Sequence, residues 1–157
     1  MVNPDLEVVT RIVVGFGLTF AVGFERDLRG ASAGDRTFAI IGSAAAAVTA
    51  VASGPSPQAI AGVITGIGFV GAGIVFRPDK SGTVKGVTTA ATLFACAAVG
   101  VVAGFGRFLS AAVLAALIVV ALEARHLRFL RFLDGEWWYQ KRIASRPVPP
   151  PERRDES

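Results

Sequence analysis

The stretch "TFAIIGSAAAAVTAVASGPSPQAIAGVITGIGFVGAGIVF", residues 37–76, decides the fold, because none of its 40 residues is Asp, Glu, Lys, Arg or His. A soluble helix needs a polar face, and a half-buried strand needs alternating apolar and polar residues; this stretch has neither. Pro55 and Pro57 divide it into two helices, each close to the length that crosses a bilayer. The stretch therefore predicts a membrane protein.

Two further uncharged runs follow the same pattern. They cover 21 residues from Gly86 to Gly106 and 15 residues from Phe108 to Leu122, and an apolar segment also precedes Glu25. Because lipid offers the backbone no hydrogen-bond partner, such runs predict membrane-spanning helices. We predict an all-α, polytopic membrane helical bundle of about five spans, at about Leu6–Phe24, Thr37–Ser53, Ile60–Phe76, Thr88–Phe105 and Phe108–Leu122.

The basic residues are unevenly shared between the two sides of this bundle. Of the 16 Lys and Arg residues, 14 lie in loop 25–36, in loop 77–85 or in the tail after Glu123. Cytoplasmic segments carry the excess of Lys and Arg in membrane proteins. With five spans, both loops and the tail fall on the same side. We therefore expect a cytoplasmic C-terminus and an N-terminus outside.

The segment "GFERDLRGASAGDRTF", residues 23–38, is the first charge-rich part of the chain. Six charged residues, three of each sign, fill twelve positions between two apolar segments. We predict that this segment is the solvent-exposed corner of a helical hairpin, with its charges paired to each other. Whether this corner also binds an ion or a partner is left open. The candidate functional corner comprises Glu25, Arg26, Asp35, Arg36, Thr37, Arg77, Thr88 and Thr89.

An internal repeat connects this corner with a second one. Shifted by 51 positions, "GFGLTFAVGFERDLRGASAGDRTFA" from Gly15 aligns without a gap with "GIGFVGAGIVFRPDKSGTVKGVTTA" from Gly66. The identical pairs include Arg26 with Arg77 and Thr37 with Thr88. The match predicts two repeated helical hairpins that run in the same sense, related by a pseudo-two-fold axis along the membrane normal.

The motif "GIGFVG", residues 66–71, matches the glycine pattern of dinucleotide-binding sites. That function needs a preceding strand and an acid about 20 residues further on. Here the motif lies in an apolar span, and no acid occurs between Asp79 and Glu123. Small residues instead let membrane helices approach closely, so we predict helix packing and self-association. The predicted packing glycines are Gly62, Gly66, Gly68, Gly71, Gly73, Gly100 and Gly104.

The chain has few groups for metal or covalent chemistry. A single Cys and a single His exclude a zinc cluster and a Cys–His nucleophile pair, and no phosphate-binding loop is present. We therefore expect no enzyme activity and no cofactor. A hard divalent cation, Mg²⁺ for example, prefers carboxylates and retained waters, and spans two to four carry no acid. Glu25 and Asp35 remain candidate metal ligands, with such a cation open as a ligand or substrate.

The segments after the bundle have a different composition. We divide the chain into a transmembrane domain 1–124, a basic aromatic membrane-surface segment 125–145 and a disordered tail 146–157. The net charge of +4 could suggest nucleic-acid binding, but the positions of the basic residues indicate membrane topology instead. The expected partners are membrane lipids, further copies of the chain and other inner-membrane proteins.

Three motifs in fixed order, "GFERDLRGASAGDRT", "GVITGIGFVGAGIVF" and "VKGVTTAATLFACAAVGVVAG", resemble the MgtC/SapB family of bacterial inner-membrane proteins over roughly residues 8–122. The chain has Asp27, Phe38 and Phe94 where that family has Glu, His and Trp. The resemblance implies an inner-membrane location and a role in magnesium homeostasis or intracellular survival. Family members are labelled magnesium transporters, and a regulatory role is also attributed to them.

Two functions of different classes follow. The leading hypothesis is a small regulator that contacts membrane proteins or lipids, because the spans lack buried acids and an energy-coupling motif. The alternative is a magnesium or cation transporter or channel with Glu25 and Asp35 at its inner mouth. It requires a water-accessible route between the two hairpins.

Overall fold

A computed structural model describes residues 3–52, 56–75 and 86–124. These residues form five α-helices and no strand, which confirms the predicted all-α bundle. The helices are α1 (Pro4–Leu28), α2 (Asp35–Val51), α3 (Pro57–Val75), α4 (Val87–Gly104) and α5 (Phe108–Glu123). The predicted segments 125–145 and 146–157, and the loop that contains Arg77, lie outside the described residues.

Local sequence signals place the helix ends. Asn3 caps α1 by accepting a hydrogen bond from the Asp5 backbone N–H at 3.0 Å, and Pro4 occupies the first helical position. Pro57 begins α3, as the break between two helices predicted. Gly86 and Gly106 precede α4 and α5 with φ angles of 87° and 74°, which favour glycine.

Helix α4 lies at the centre of the described bundle. It contacts α1, α2 and α3, and α2 in turn contacts α1, α3 and α4. The buried residues of α4 are small or apolar, and Leu93, Cys96 and Val99 are fully buried. In addition, 56% of the apolar stretch of α4 is buried but only 6% of that of α3. One side of the fold is therefore a tight α1–α2–α4 group, with α3 at its edge.

Close packing of this group depends on glycines. A Cβ atom at Gly104 would lie 2.6 Å from the Cβ of Thr49 on α2, and one at Gly15 would lie 2.8 Å from the Cβ of Ala46. A Cβ at Gly42 would overlap the side chain of Thr19 on α1. Small residues at a membrane helix interface let the backbones approach, and van der Waals contacts then hold them together.

Three helices are long and apolar enough to cross a membrane: α1, α3 and α4. Helices α2 and α5 have 17 and 16 residues and lie below that length. Large apolar side chains on the outside, including Phe69 at 77% exposure and Leu109 at 80%, would be costly in water but suit lipid. The protein is a membrane protein.

The first charged loop is shorter than the sequence suggested. Glu25 to Leu28 continue α1, so the connection to α2 covers residues 29–34 rather than 25–36. A helix needs no apolar residues once it leaves the bilayer, and Glu25 and Arg29 stand four residues apart, where opposite charges support a helix. The charged corner is therefore partly helical.

The two hairpins pack differently despite their sequence repeat. Gly15 lies tightly against α2, whereas a Cβ at its repeat equivalent, Gly66, would meet no described atom within 4 Å. The predicted pseudo-two-fold relation stays a prediction, since the loop equivalent to the first corner lies outside the described residues.

The chain divides into two compact units, Met1–Val119 and Val120–Ser157. The helix contacts above belong to the first unit. Of the second unit, the structure describes residues 120–124, the end of α5. The division of the chain into 1–124, 125–145 and 146–157 stays a prediction.

Candidate functional site

The charged corner is built by the end of α1 and the start of α2. Gly30, with a φ of 65°, lets the chain reverse after α1, and its N–H bonds the carbonyl of Asp27 at 3.0 Å. The N–H of Ala31 also bonds the carbonyl of Arg26 at 3.1 Å. These bonds satisfy carbonyls that the helix end would otherwise leave unpaired.

Gly23 brings the two helices together at the base of the corner. A Cβ there would lie 2.7 Å from the Cα of Asp35 and 2.9 Å from the Cβ of Phe38. Phe38 is fully buried. Phe38 therefore fills the core at the position where the resembled family has a histidine, and the corner lacks that polar group.

Glu25 is an enclosed acid of the corner. Its side chain is only 12% exposed, and neither carboxylate oxygen accepts a hydrogen bond from a described residue. Arg29 Nε lies 3.6 Å from its Oε1, which is close enough for charge attraction but too long for a good hydrogen bond. A carboxylate in this state has unused capacity for a donor or a cation.

The neighbouring Arg26 is half-buried, and its Nε has no acceptor among the described residues. Buried polar groups normally have partners, because leaving one unpaired costs about 1–3 kcal/mol. Two adjacent residues of opposite charge at the same helix end, Glu25 and Arg26, therefore have buried polar atoms with no hydrogen-bond partner among the described residues. This combination is the main feature that distinguishes the corner from an ordinary solvated turn.

Asp27 makes a contact that was not predicted from the sequence. A Cβ at Gly34 would lie 2.7 Å from Asp27 Oδ1, so this carboxylate packs against the residue that precedes α2. A negative charge near a helix N-terminus is stabilising, typically by about 0.3–1 kcal/mol. The signal available in the sequence was an acid seven residues before a glycine that borders a helix start.

The corner also reaches the start of α4. Ser32 Oγ lies 3.4 Å from Oγ1 of Thr89, which is buried, so the α1–α2 loop and α4 meet there. Thr88, Arg36 and Thr37 are exposed. Asp35 is half-buried and its Oδ1 accepts the Arg36 backbone N–H at 2.6 Å. The structure thus brings the first corner and Thr89 together, while Arg77 lies outside the described residues.

The candidate metal ligands do not form a metal-binding cluster among the described residues. Among them, no group of three His, Cys, Asp or Glu side chains could hold a metal ion. Glu25 and Asp35 stay predictions as ligands. A cation at Glu25 would need oxygen atoms from water or from other groups.

The seven predicted packing glycines occupy two kinds of environment. Gly100 and Gly104 lie directly against α2, and Gly71 faces Ala90 of α4 at an ordinary distance of 3.5 Å. A Cβ at the other four would meet no described atom within 4 Å, and these are Gly62, Gly66, Gly68 and Gly73. Any role of these four glycines in packing would therefore involve atoms outside the described helices.

A second polar contact lies away from the charged corner. Arg11, in α1, donates from Nη1 to the carbonyl oxygen of Gly104 at 2.9 Å and from Nη2 to Glu7 Oε1. The pairing with Glu7, four residues earlier, could be predicted from spacing. The bond to Gly104 could not, because 93 residues separate the two in sequence.

Together, the apolar helices, the glycine-packed core and the charged corner define a polytopic helical membrane protein without a metal cluster among its described residues. The MgtC family model matches residues 12–128, so the chain belongs to the MgtC family. No solved structure matches it.

Several curated relatives support this assignment. Protein MgtC of Brucella abortus (strain 2308) is 41% identical over 108 residues, which cover 66% of this chain and 44% of the relative. The putative magnesium transporter YhiD of Escherichia coli (strain K12) is 30% identical over 147 residues, 85% of this chain and 67% of the relative. The chain thus spans less than half the length of the MgtC relative.

Proposed function

We propose that this protein is an inner-membrane regulator, linked to magnesium homeostasis or intracellular survival, that acts through contacts with membrane proteins or lipids and has no enzymatic activity. The observation that carries this proposal is the closed packing of α1, α2 and α4, in which backbone meets backbone at Gly42 and Gly100. At this crossing point the packing leaves no room for water between α2 and α4. Three of the four buried threonines of this group, Thr19, Thr49 and Thr92, donate to carbonyls of their own helices.

The magnesium link rests on the family and on the name of one relative. YhiD of Escherichia coli (strain K12) is named as a putative magnesium transporter, and the Brucella abortus relative is named MgtC. Because this chain covers only part of the MgtC relatives, their full activity does not transfer automatically. We carry over magnesium homeostasis as the process and propose regulation as this chain's role in it.

The competing proposal, a magnesium or cation transporter, is favoured by one specific observation. The Glu25 carboxylate is enclosed and accepts no hydrogen bond from a described residue. A hydrated cation could use such an oxygen pair, provided that the nearby arginines do not neutralise it. The route for the ion would then have to avoid the closed α1–α2–α4 group.

Purified full-length protein in liposomes that contain a magnesium-sensitive dye separates the two functions. We expect no influx above that of empty liposomes, with folding and orientation verified on the same sample. Saturable influx that Glu25→Gln abolishes would instead establish transport. Asp5→Asn is the matched control, since Asp5 is an exposed acid in the first turn of α1 and lies outside the corner.

The proposed orientation places the N-terminus outside and the corner on the cytoplasmic side. It is supported by the basic loops and by the contact of Ser32 with Thr89, which groups the end of α1 with the start of α4. The Ser32→Cys variant, in a Cys96→Ala background, should react with an impermeant thiol reagent in inverted membrane vesicles but not in intact spheroplasts.

We further propose that copies of the chain associate through α3. Gly62, Gly66 and Gly73 leave space for close approach, and little of this helix is covered by the described bundle. Glycine-rich faces pack well against another helix and poorly against disordered lipid chains. A second copy is thus the proposed occupant, and disulfide cross-linking between α3 helices tests this.

A further inference from the structure

A surface cavity lies at the end of the bundle that carries the start of α1 and the turn between α4 and α5. Its volume is about 360 Å³, and it is lined by Leu6, Glu7, Thr10, Arg11, Phe105, Gly106 and Phe108. None of these residues belongs to the charged corner. The lining combines one cation, one anion and Thr10 with apolar side chains.

Arg11 supplies the cation in a fixed position. Its Nη1 and Nη2 bond Gly104 and Glu7, which hold the guanidinium on two sides, and its Nε is buried without an acceptor among the described residues. A guanidinium carries five N–H groups, so these two bonds do not exhaust its donors. A Cβ at Gly106 would lie 3.5 Å from both Nε and Nη2, so the turn before α5 lies beside this edge of the guanidinium.

Glu7 supplies the anion beside it. Its side chain is 54% exposed, so the carboxylate remains open to a further partner after pairing with Arg11. The net charge of the pair is zero. A simple anion would meet repulsion from Glu7, and a simple cation would meet repulsion from Arg11. The ligand with complementary charge carries both signs, with an acceptor for Arg11 and a donor for Glu7.

The apolar lining indicates what surrounds those charges. Leu6 is 61% exposed, and Phe105 and Phe108 are each more than one-third exposed at the same cavity. Asp5 and Arg107 are charged and exposed, which indicates that this end of the bundle faces water. Further along α1, Val9 and Val13 expose apolar surface. The cavity therefore lies where a charged headgroup and the first part of its acyl chains would both be in reach.

We infer that this cavity binds a zwitterionic phosphodiester with a primary ammonium, the headgroup of an aminophospholipid. The phosphate accepts from the Arg11 guanidinium, the ammonium donates to the Glu7 carboxylate, and the acyl chains lie over Leu6, Phe105 and Phe108. Charged hydrogen bonds of this kind are stronger than neutral ones and are well suited to a partly dry site. The inference holds for a regulator and for a transporter alike.

The test uses delipidated full-length protein and native mass spectrometry. Phosphatidylethanolamine, phosphatidylcholine and phosphatidylglycerol with the same acyl chains are added at equal concentration. We expect phosphatidylethanolamine to bind about tenfold more tightly than either of the others, because choline has no N–H for Glu7 and glycerol carries no cation. Equal binding of the three lipids would overturn the inference.

Two variants test the assignment of the charges. Glu7→Gln still accepts from Arg11 but leaves the cavity with a net positive charge, so the preference should move from phosphatidylethanolamine to anionic phosphatidylglycerol. Asp5→Asn, two residues away and outside the cavity lining, should keep the wild-type order. An unchanged order in folded Glu7→Gln contradicts the inference. If that variant does not fold, the wild-type lipid order decides alone.

Competition with free phosphoethanolamine shows whether the ligand is a membrane lipid or a soluble molecule with the same headgroup. If it displaces the bound lipid at millimolar concentration, the headgroup chemistry suffices and a soluble molecule can occupy the site. If phosphatidylethanolamine binds and free phosphoethanolamine does not compete, the acyl chains are required and the ligand is the lipid. A cavity that binds neither refutes the inference.

Discussion

Gly100 on α4 lies directly against the carbonyl oxygen of Gly42 on α2, with no space between them for a Cβ atom. A Cβ at Gly100 would also lie 2.8 Å from the Cβ of Ala45. Two helices can meet this closely only where both lack bulky side chains at the crossing point. This contact fixes the centre of the bundle, and it explains why α4 is the most buried of the three candidate spans.

Gly100→Ala should therefore lower the stability of the protein. The new methyl group meets backbone rather than a flexible side chain, so the helices must separate, at a cost of about 1–3 kcal/mol. Thermal unfolding in detergent, followed by circular dichroism, measures the change. The matched control is Gly68→Ala, where a Cβ meets no described atom within 4 Å. It should stay within about 1 kcal/mol of wild type. Equal losses in the two variants would contradict the packing.

Arg11→Met should also destabilise the fold. It removes the bond from Nη1 to the carbonyl of Gly104, and that carbonyl has no other hydrogen-bond donor within the described helices. A lost bond to a charged group costs about 1.5–3 kcal/mol. The same melting experiment measures it, with Arg107→Gln as the control, because Arg107 is an exposed arginine on the adjacent turn. A melting temperature as high as that of wild type would show that the bond does not hold α1 to α4.

Cys96 should not react with a maleimide while the protein is folded. It is the only cysteine of the chain and is fully buried in α4. Reagents therefore reach it only when α4 separates from its neighbours. The labelled fraction, measured by mass spectrometry, should rise together with the loss of helical packing during heating. Rapid labelling of the native protein would contradict the central position of α4.

Gly66→Cys in a Cys96→Ala background tests self-association through α3. If α3 of one copy packs against α3 of another, mild oxidation in the membrane should yield a covalent dimer, visible on a non-reducing gel. Val13→Cys is the control, since Val13 is an exposed residue of α1. Its dimer should form more slowly. Equal rates for the two positions would indicate random collision in the membrane instead of a specific interface.

Much of the fold could be predicted from the sequence. The uncharged runs predict apolar helices because lipid excludes charge, and Pro57 does begin α3 after a break in the longest run. The end of α1 was predicted several residues too early. Charge marks where a helix leaves lipid, whereas the helix itself continues until Gly30 reverses the chain. Composition therefore marks where charged residues begin but not the residue at which the helix ends.

Some features of the candidate site could likewise be predicted from the sequence, and others could not. The charged corner, and the pairing of Arg11 with Glu7, follow from residue type and from spacing along one helix. The bond from Arg11 to Gly104, the enclosure of Glu25 and the separation of packed from open glycines depend on which helix faces meet. By itself, the sequence determined helices, membrane and charged ends, because these depend on local composition. Only the tertiary structure decided which residues touch, because contacts between distant segments depend on the packing of the whole bundle.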